Sequence, residues 1–358
     1  MKLNFSDERY KKIAIGSTGY SEIESKHKIS EAFLILLKGV KKEDLDNLCI
    51  KIQNDFEKQG IKLSIDECYK LTQGKISETF ISRAENEEHA KKELGEYLID
   101  LAYECIEVDG NHLGSNVIPN TSINTSSWIS HSLFEAKAAK QLAECLDLDP
   151  EKAGVLGILH DYGRKYIHDF SHVTKGYETL VDAGWIDEAR ATITHSFINA
   201  GRCANCDPAE EGFYIDEEGK PQWKEEIEKD DVTEVLENME YDDYDTILNI
   251  ADLMATDKGI TSPYERVEDV ATRKTPDIRN RAYFLSEFTN KLVYIISRMN
   301  NKNNIEDELN PLMNIEEINY RFKEISQIFY ETYNQMIRGK IKWKRLKINL
   351  KKKKWENI

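Results

Sequence analysis

Several things a 358-residue chain often carries are scarce or missing here. Six cysteines spread over this length make no disulfide framework, which points to a reducing compartment. Two of them, Cys203 and Cys206, form a lone Cys-x-x-Cys; with no second pair, they read as an incidental thiol pair rather than a zinc or redox centre. No run of about 18 apolar residues occurs, so no membrane span is expected. The opening residues, Met1 to Glu8, lack the apolar core of a signal peptide, and a cytoplasmic location follows as the expectation. Charge is unevenly placed along the chain. The total is −16, while residues 338–358 carry ten Lys or Arg against one Glu, a net of +9, which leaves −25 for the rest. An acidic body does not attract nucleic acid generally, so a nucleic-acid partner is expected only through the 338–358 tail. That tail mixes cations with Trp343 and Leu346; contact with phosphates or an anionic membrane surface, packing on the acidic body, and a loose end are all open to it.

What is present reads as helix. A hydrophobic content of 40% supports a sizeable core, in two domains or in one with extensions. Residues 1–115 are mostly helical and carry no catalytic motif; Ile29 to Leu37 is a strong apolar segment closed by Gly39, and Lys91 to Ile106 has helical spacing through Leu94, Tyr97, Leu98 and Leu101. His27, His89 and His112 lie among polar residues and read as solvated. A segment rich in Asn, Ser and Gly, 109–127, separates this region from the next. There, Ser126 or Ser127 is an N-cap for a helix from Trp128 to Leu146, and Asp149-Pro150 opens a second. Further helices are expected through Tyr177 and Leu180, from Asp187 to Phe197, over Thr246 to Ala255, from Tyr283 to Met299 and from Ile315 to Ile337, with a candidate small hairpin near 213–223. The expectation is an all-α protein divided as 1–115, 125–297, 305–337 and the basic tail 338–358.

The chemistry gathers in the middle. The apolar run Leu156 to Leu159 ends in His160-Asp161, followed by Gly163, which lets the chain turn, and by Arg164 and Lys165. Neutral imidazole and ionised carboxylate are strong ligands for a divalent cation; a capping carboxylate beside a surface histidine is the plainer alternative. Five of the eight histidines fall between 131 and 195. His131 shares a helix face with Phe134, Ala138 and Leu142, where a histidine alone is more often a satisfied core residue. Asp252 stands in the apolar stretch Thr246 to Ala255, where an unpaired carboxylate costs several kcal/mol. It therefore needs a partner such as Arg266, or a metal.

The ordered set His131, His160-Asp161, His172, His195 and Asp252 resembles the HD superfamily of metal-dependent phosphohydrolases, over about 125–295. His160 to Arg164, His172 with Gly176, Thr194 to Phe197, and Tyr241 to Asp245 leading into Ala251-Asp252 are similar to small bacterial HD-domain proteins. They are less specifically similar to the HD hydrolases that split dinucleoside tetraphosphates symmetrically. The resemblance implies an HD-domain helical-bundle core with helical N-terminal and C-terminal extensions. It implies one ion held by His131, His160, Asp161 and Asp252, and a second by His172 and His195 with Asp161 bridging. The nucleophile is then a metal-activated water. Arg164 and Lys165 stand where they would offset charge on the phosphoryl oxygens, Arg164 replacing the Lys of many relatives. His168 is a candidate substrate contact. Imidazole and carboxylate ligands suit iron, manganese, nickel or cobalt and do not exclude magnesium, and the lack of thiolates argues against a structural zinc centre. The function implied is hydrolysis of a small phosphorylated substrate, a phosphoester or phosphoanhydride and in particular a nucleotide. A metal- or nucleotide-binding sensor is the alternative, and nucleic-acid processing guided by the tail the third.

Overall fold

The structure, a computed structural model, describes residues 20, 22–84, 86–108, 125–167, 171–198, 202–203, 213–215, 221–223, 236, 239–274, 278–299 and 315–339. His112, His168, Cys206 and the basic tail beyond Gly339 lie outside the described residues. Within them the expected all-α architecture is present. Among the described residues five α-helices precede residue 109: α1 (Glu22–Lys38), α2 (Asp46–Lys58), α3 (Ile65–Thr72), α4 (Glu78–Arg83) and α5 (Glu87–Val108). Then come α6 (Thr125–Cys145), α7 (Pro150–Leu159), α8 (His172–Asp182) and α9 (Ile186–Thr194). Two short antiparallel ladders follow, β1 (Phe197–Ile198) with β2 (Arg202–Cys203) and β3 (Phe213–Ile215) with β4 (Pro221–Trp223). The second is the hairpin expected near 213–223, in the register Phe213 opposite Trp223 and Ile215 opposite Pro221. The chain continues through α10 (Asp243–Asp252), α11 (Pro263–Lys274), α12 (Ile278–Met299) and α13 (Ile315–Ile337).

Local chemistry accounts for several boundaries. Asp149 accepts from the backbone N–H groups of Glu151 and Lys152, and Pro150 takes the first helical position, so α7 starts where expected. Asp242 and Asp245 form a reciprocal capping box at the start of α10. Three expectations shift. α6 begins at Thr125, which places Ser126 and Ser127 within its first turn rather than at its cap. α9 ends at Thr194, because Phe197-Ile198 is drawn into a β-ladder, which suits aromatic and β-branched residues. α10 ends at Asp252 instead of running to Ala255, since Ala255 bridges to Ile260.

Two apolar clusters meet at the α6–α7 pair. One contains Ile29, Phe33, Leu36, Leu48 and Phe56 from the N-terminal helices together with Ile129, Leu133, Ile158, Leu180 and Ile193. In α1, the spacing Ile29, Phe33, Leu36, Leu37 is one helical face, and all four are fully buried. The other contains Ala138, Leu142 and Leu156 with Ile247 and Ile250 of α10, Leu292 and Ile296 of α12, and Phe322 and Phe329 of α13. Each large apolar side chain so buried contributes about 1.5–3 kcal/mol. The N-terminal helices thus share one continuous core with α6–α9. Polar ties reinforce it: the Tyr20 hydroxyl donates to Glu188 at 2.7 Å, and Lys28 reaches the same carboxylate at 3.0 Å.

A candidate metal centre at the helix ends

The site starts from a backbone contact. A methyl group on Gly157 would lie 2.6 Å from the Ala136 Cα, so α6 and α7 cross with their backbones touching. The crossing sets His131 and Glu135, four residues apart on α6, against His160 at the end of α7. His160 Nδ1 lies 2.7 Å from the Gly157 carbonyl, an acceptor only, so Nδ1 carries the proton and Nε2 turns inward.

A second backbone contact brings in α8. Gly163 was expected to let the chain turn, yet its role is close approach. A Cβ there would lie 1.8 Å from the His172 carbonyl oxygen and 2.7 Å from the Gly176 nitrogen. This packs the turn Tyr162–Lys165 onto the first turn of α8 and puts His172, its first residue, beside Asp161. The last two side chains come from the ends of α9 and α10. Arg190 donates Nε–H to both Asp245 oxygens, at 2.9 and 3.0 Å, and Asn249 donates to the Thr194 carbonyl at 2.9 Å. These bonds clamp α9 to α10 and align His195, which follows α9, with Asp252, the last residue of α10.

The six side chains expected as ligands come together. His131 Nε2 is 3.0 Å from Asp252 Oδ1. Asp161 Oδ2 is 3.6 Å from His160 Nε2, while its Oδ1 is 3.0 Å from His172 Nε2 and 3.6 Å from His195 Nε2. The rings of His160 and His195 have centroids 4.9 Å apart. Asp252 takes His131 as its partner, whereas Arg266 faces Asp269 at 3.4 Å. Two subsets have donor atoms close enough to hold one metal ion: His131, Glu135, His160 and Asp252, and His160, Asp161 and His195.

Glu135 escaped the sequence reading. Its Oε2 lies 2.8 Å from His160 Nε2 and 3.8 Å from His131 Nε2, and it is fully buried. The signal that would have found it is the one that flagged Asp252: a carboxylate embedded in an apolar stretch, Leu133-Phe134-Glu135-Ala136.

The electrostatics ask for positive charge. Burial disfavours the charged form of His160, yet Glu135 and Asp161 outweigh it and raise the ring well above its ordinary value. Burial pushes Glu135 up to about 8. Burial also opposes the charge on Asp161, but Arg164, His160 and His172 together hold that carboxyl well below its usual range. Burial takes His195 down to about 3 and lowers His131, so both rings are neutral and fit to ligate. Among the described residues, Glu135 Oε1 has no hydrogen-bond partner, and Glu135 Oε2 and His160 Nε2, both buried, face each other at 2.8 Å. A lone pair 2.8 Å from a carboxylate oxygen is repulsive without a proton or metal between them, so the donor set fits a cation.

The expected cations divide. Arg164 donates Nε–H to Asp161 Oδ2 and joins the cluster. Lys165 lies over the rings of Tyr162 and Tyr166, 5.5 and 5.2 Å from their centroids, and none of its described contacts is with the cluster. Solvent reaches the site at Asp252 and Arg164, whose side chains are 19% and 25% exposed, while those of His160 and Glu135 are fully buried. No helix among the described residues is long and apolar enough to cross a membrane.

Residues 128–257 match the family model described as HD domain. No curated protein and no solved structure matches the chain significantly.

Proposed function

From the premise that this chain belongs to the HD-domain superfamily, whose domain is typical of metal-dependent phosphohydrolases and binds divalent metals, we propose that it hydrolyses a phosphoester or phosphoanhydride of a nucleotide. The observation that carries this reading is the convergence of His131, His160, Asp161, His172, His195 and Asp252 in one largely buried cluster. These six would hold one or two divalent ions among iron, manganese, nickel, cobalt and magnesium. Such ions, when bound, polarise phosphoryl oxygens and lower the pKa of a bound water. Asp161 orients the set, with one oxygen toward His172 and His195 and the other toward His160 and Arg164. Arg164, a quarter exposed at the edge of the cluster, offsets charge on the phosphoryl group.

The nucleotide reading draws support from the rim beside Arg164. Tyr166 is 45% exposed and Lys165 and Lys175 lie over its ring. A ring face with two ammonium groups suits a base and its phosphates. In this reading Lys165 binds substrate from the rim. The catalytic unit is 125–297, with the preceding helices and α13 as extensions packed on it, and 338–358 as a basic tail.

Elemental analysis of the purified chain with a hydrolysis screen over nucleotides and simple phosphate esters tests the proposal. Asp161→Ala should lose bound metal and all turnover while far-UV circular dichroism stays unchanged. Full hydrolysis by that variant would falsify the catalytic assignment. Bound metal without turnover on any phosphate would instead identify a sensor.

A further inference from the structure

We propose that Glu135 is itself a metal ligand, completing a subsite of two imidazoles and two carboxylates with His131, His160 and Asp252. The inference rests on reading the cluster as a metal centre and goes beyond it, since the recurring His, His-Asp, Asp order does not include this position.

Three observations carry it. The first is placement. The Glu135 carboxylate is fully buried; Oε1 has no hydrogen-bond partner among the described residues, and Oε2 faces the ring nitrogens of His160 at 2.8 Å and His131 at 3.8 Å. A glutamate serving only the fold would be hydrogen-bonded or absent from the core. The second is the company it keeps, because one donor atom each from Glu135, His131, His160 and Asp252 all lie within 4.8 Å of one another. The third is charge. Glu135, Asp161 and Asp252 are three carboxylates, and Arg164, on Asp161, is the Lys or Arg that ion-pairs with them among the described residues. With the carboxylates ionised and the imidazoles neutral, the states that metal ligation demands, two negative charges are left for one divalent cation to offset.

Glu135 would also make the two halves of the centre unlike. Its own subsite is anionic and oxygen-rich, while Asp161, His172 and His195 form an imidazole-rich one. Hard ions such as Mn²⁺ favour the first.

The test uses the full chain stripped by a chelator and titrated with Mn²⁺. Bound ion is counted by elemental analysis, and the rise in Tm on Mn²⁺ addition is read in parallel. Wild-type protein should bind Mn²⁺. E135Q, which keeps the shape and removes the charge, should bind at least about 10-fold more weakly and lose most of the Mn²⁺-induced rise in Tm, as removal of a ligand demands. A carboxyl that only filled the core would lower Tm equally with and without Mn²⁺. E135Q binding with the wild-type stoichiometry and affinity therefore overturns the inference. If E135Q fails to fold, E135A gives the same readout, and a folded E135A that binds like wild type overturns it too. Wild-type protein that binds no Mn²⁺ also overturns this inference, whereas the catalytic reading falls only if the purified chain holds no divalent metal of any kind and turns over no phosphate.

Discussion

The helices before residue 109 and the segment from 128 to 257 share one apolar cluster, yet they bury different things. Among the described residues of the first region the buried polar side chains are Ser30, Thr72 and Ser77. Each closes a local bond: Ser30 and Thr72 donate to carbonyls three residues back, and Ser77 caps Phe80. Charged side chains there stay toward the surface, as in the Lys51–Asp55 pair at 2.7 Å with 18% and 22% exposed side chains. The second region buries four histidines, Glu135, Asp161, Arg190 and Asp245. Burying a charge costs several kcal/mol unless its partners are well placed. One core therefore tolerates two regimes, and the expensive one lies where packing alone gives no reason for it. The difference separates a region that packs from the one that carries the proposed site.

Aspartates on the two sides should behave most differently. Asp161→Asn keeps the volume but removes a charge that three histidines and Arg164 surround. We expect hydrolysis to fall by at least about 10⁴-fold, roughly 5.5 kcal/mol of transition-state stabilisation. Asp55→Asn, in the Lys51 and Lys58 pairs, should leave steady-state rates unchanged. Equal losses in kcat/KM from the two substitutions would erase the distinction.

Ion pairs sharpen the comparison in stability. Arg190 holds Asp245 in the interior, both side chains at most 6% exposed. Arg190→Met leaves that carboxylate buried without its cation and should cost about 3–5 kcal/mol in urea unfolding. Arg83→Met removes an open pair with Glu93, 42% and 35% exposed, and should cost about 0–1 kcal/mol. Because Arg190 clamps α9 to α10, its loss should also weaken metal binding, which Arg83 cannot influence.

How much of this could be read beforehand follows from the range of each interaction. Asp149-Pro150 marked the start of α7 because capping is settled within a few residues. The gathering of the six candidate residues was legible because imidazoles and acids set in apolar helices or at their ends are unusual as a set. Glu135 carried the mark of a carboxylate in an apolar stretch, but the crossing at Gly157 is what shows which way it faces. Lys165 stood beside Arg164 in sequence, yet its side chain passes over the neighbouring rings of Tyr162 and Tyr166 and close to Gly39, which is far away in the chain. Gly163 looked like a hinge, since a glycine that turns the chain and one that admits another backbone are the same letter.

Glycines give the smallest and finest test. Gly157 and Gly95 both stand inside helices, where glycine is about 0.5–1 kcal/mol worse than alanine. At Gly157 an added methyl meets the Ala136 backbone, so Gly157→Ala must push α6 away from α7 and should destabilise by about 1–3 kcal/mol. Because the same crossing sets Glu135 against His160, Mn²⁺ affinity should fall with it. At Gly95 the methyl meets nothing within 4 Å, and the helix gains a better former. Gly95→Ala should therefore stabilise by about 0.5–1 kcal/mol with kcat and metal content unchanged. Chemical denaturation at matched metal concentration checks both signs. If Gly157→Ala were also stabilising, the two helices would not be in backbone contact, and the placement of Glu135 against His160 would lose its support.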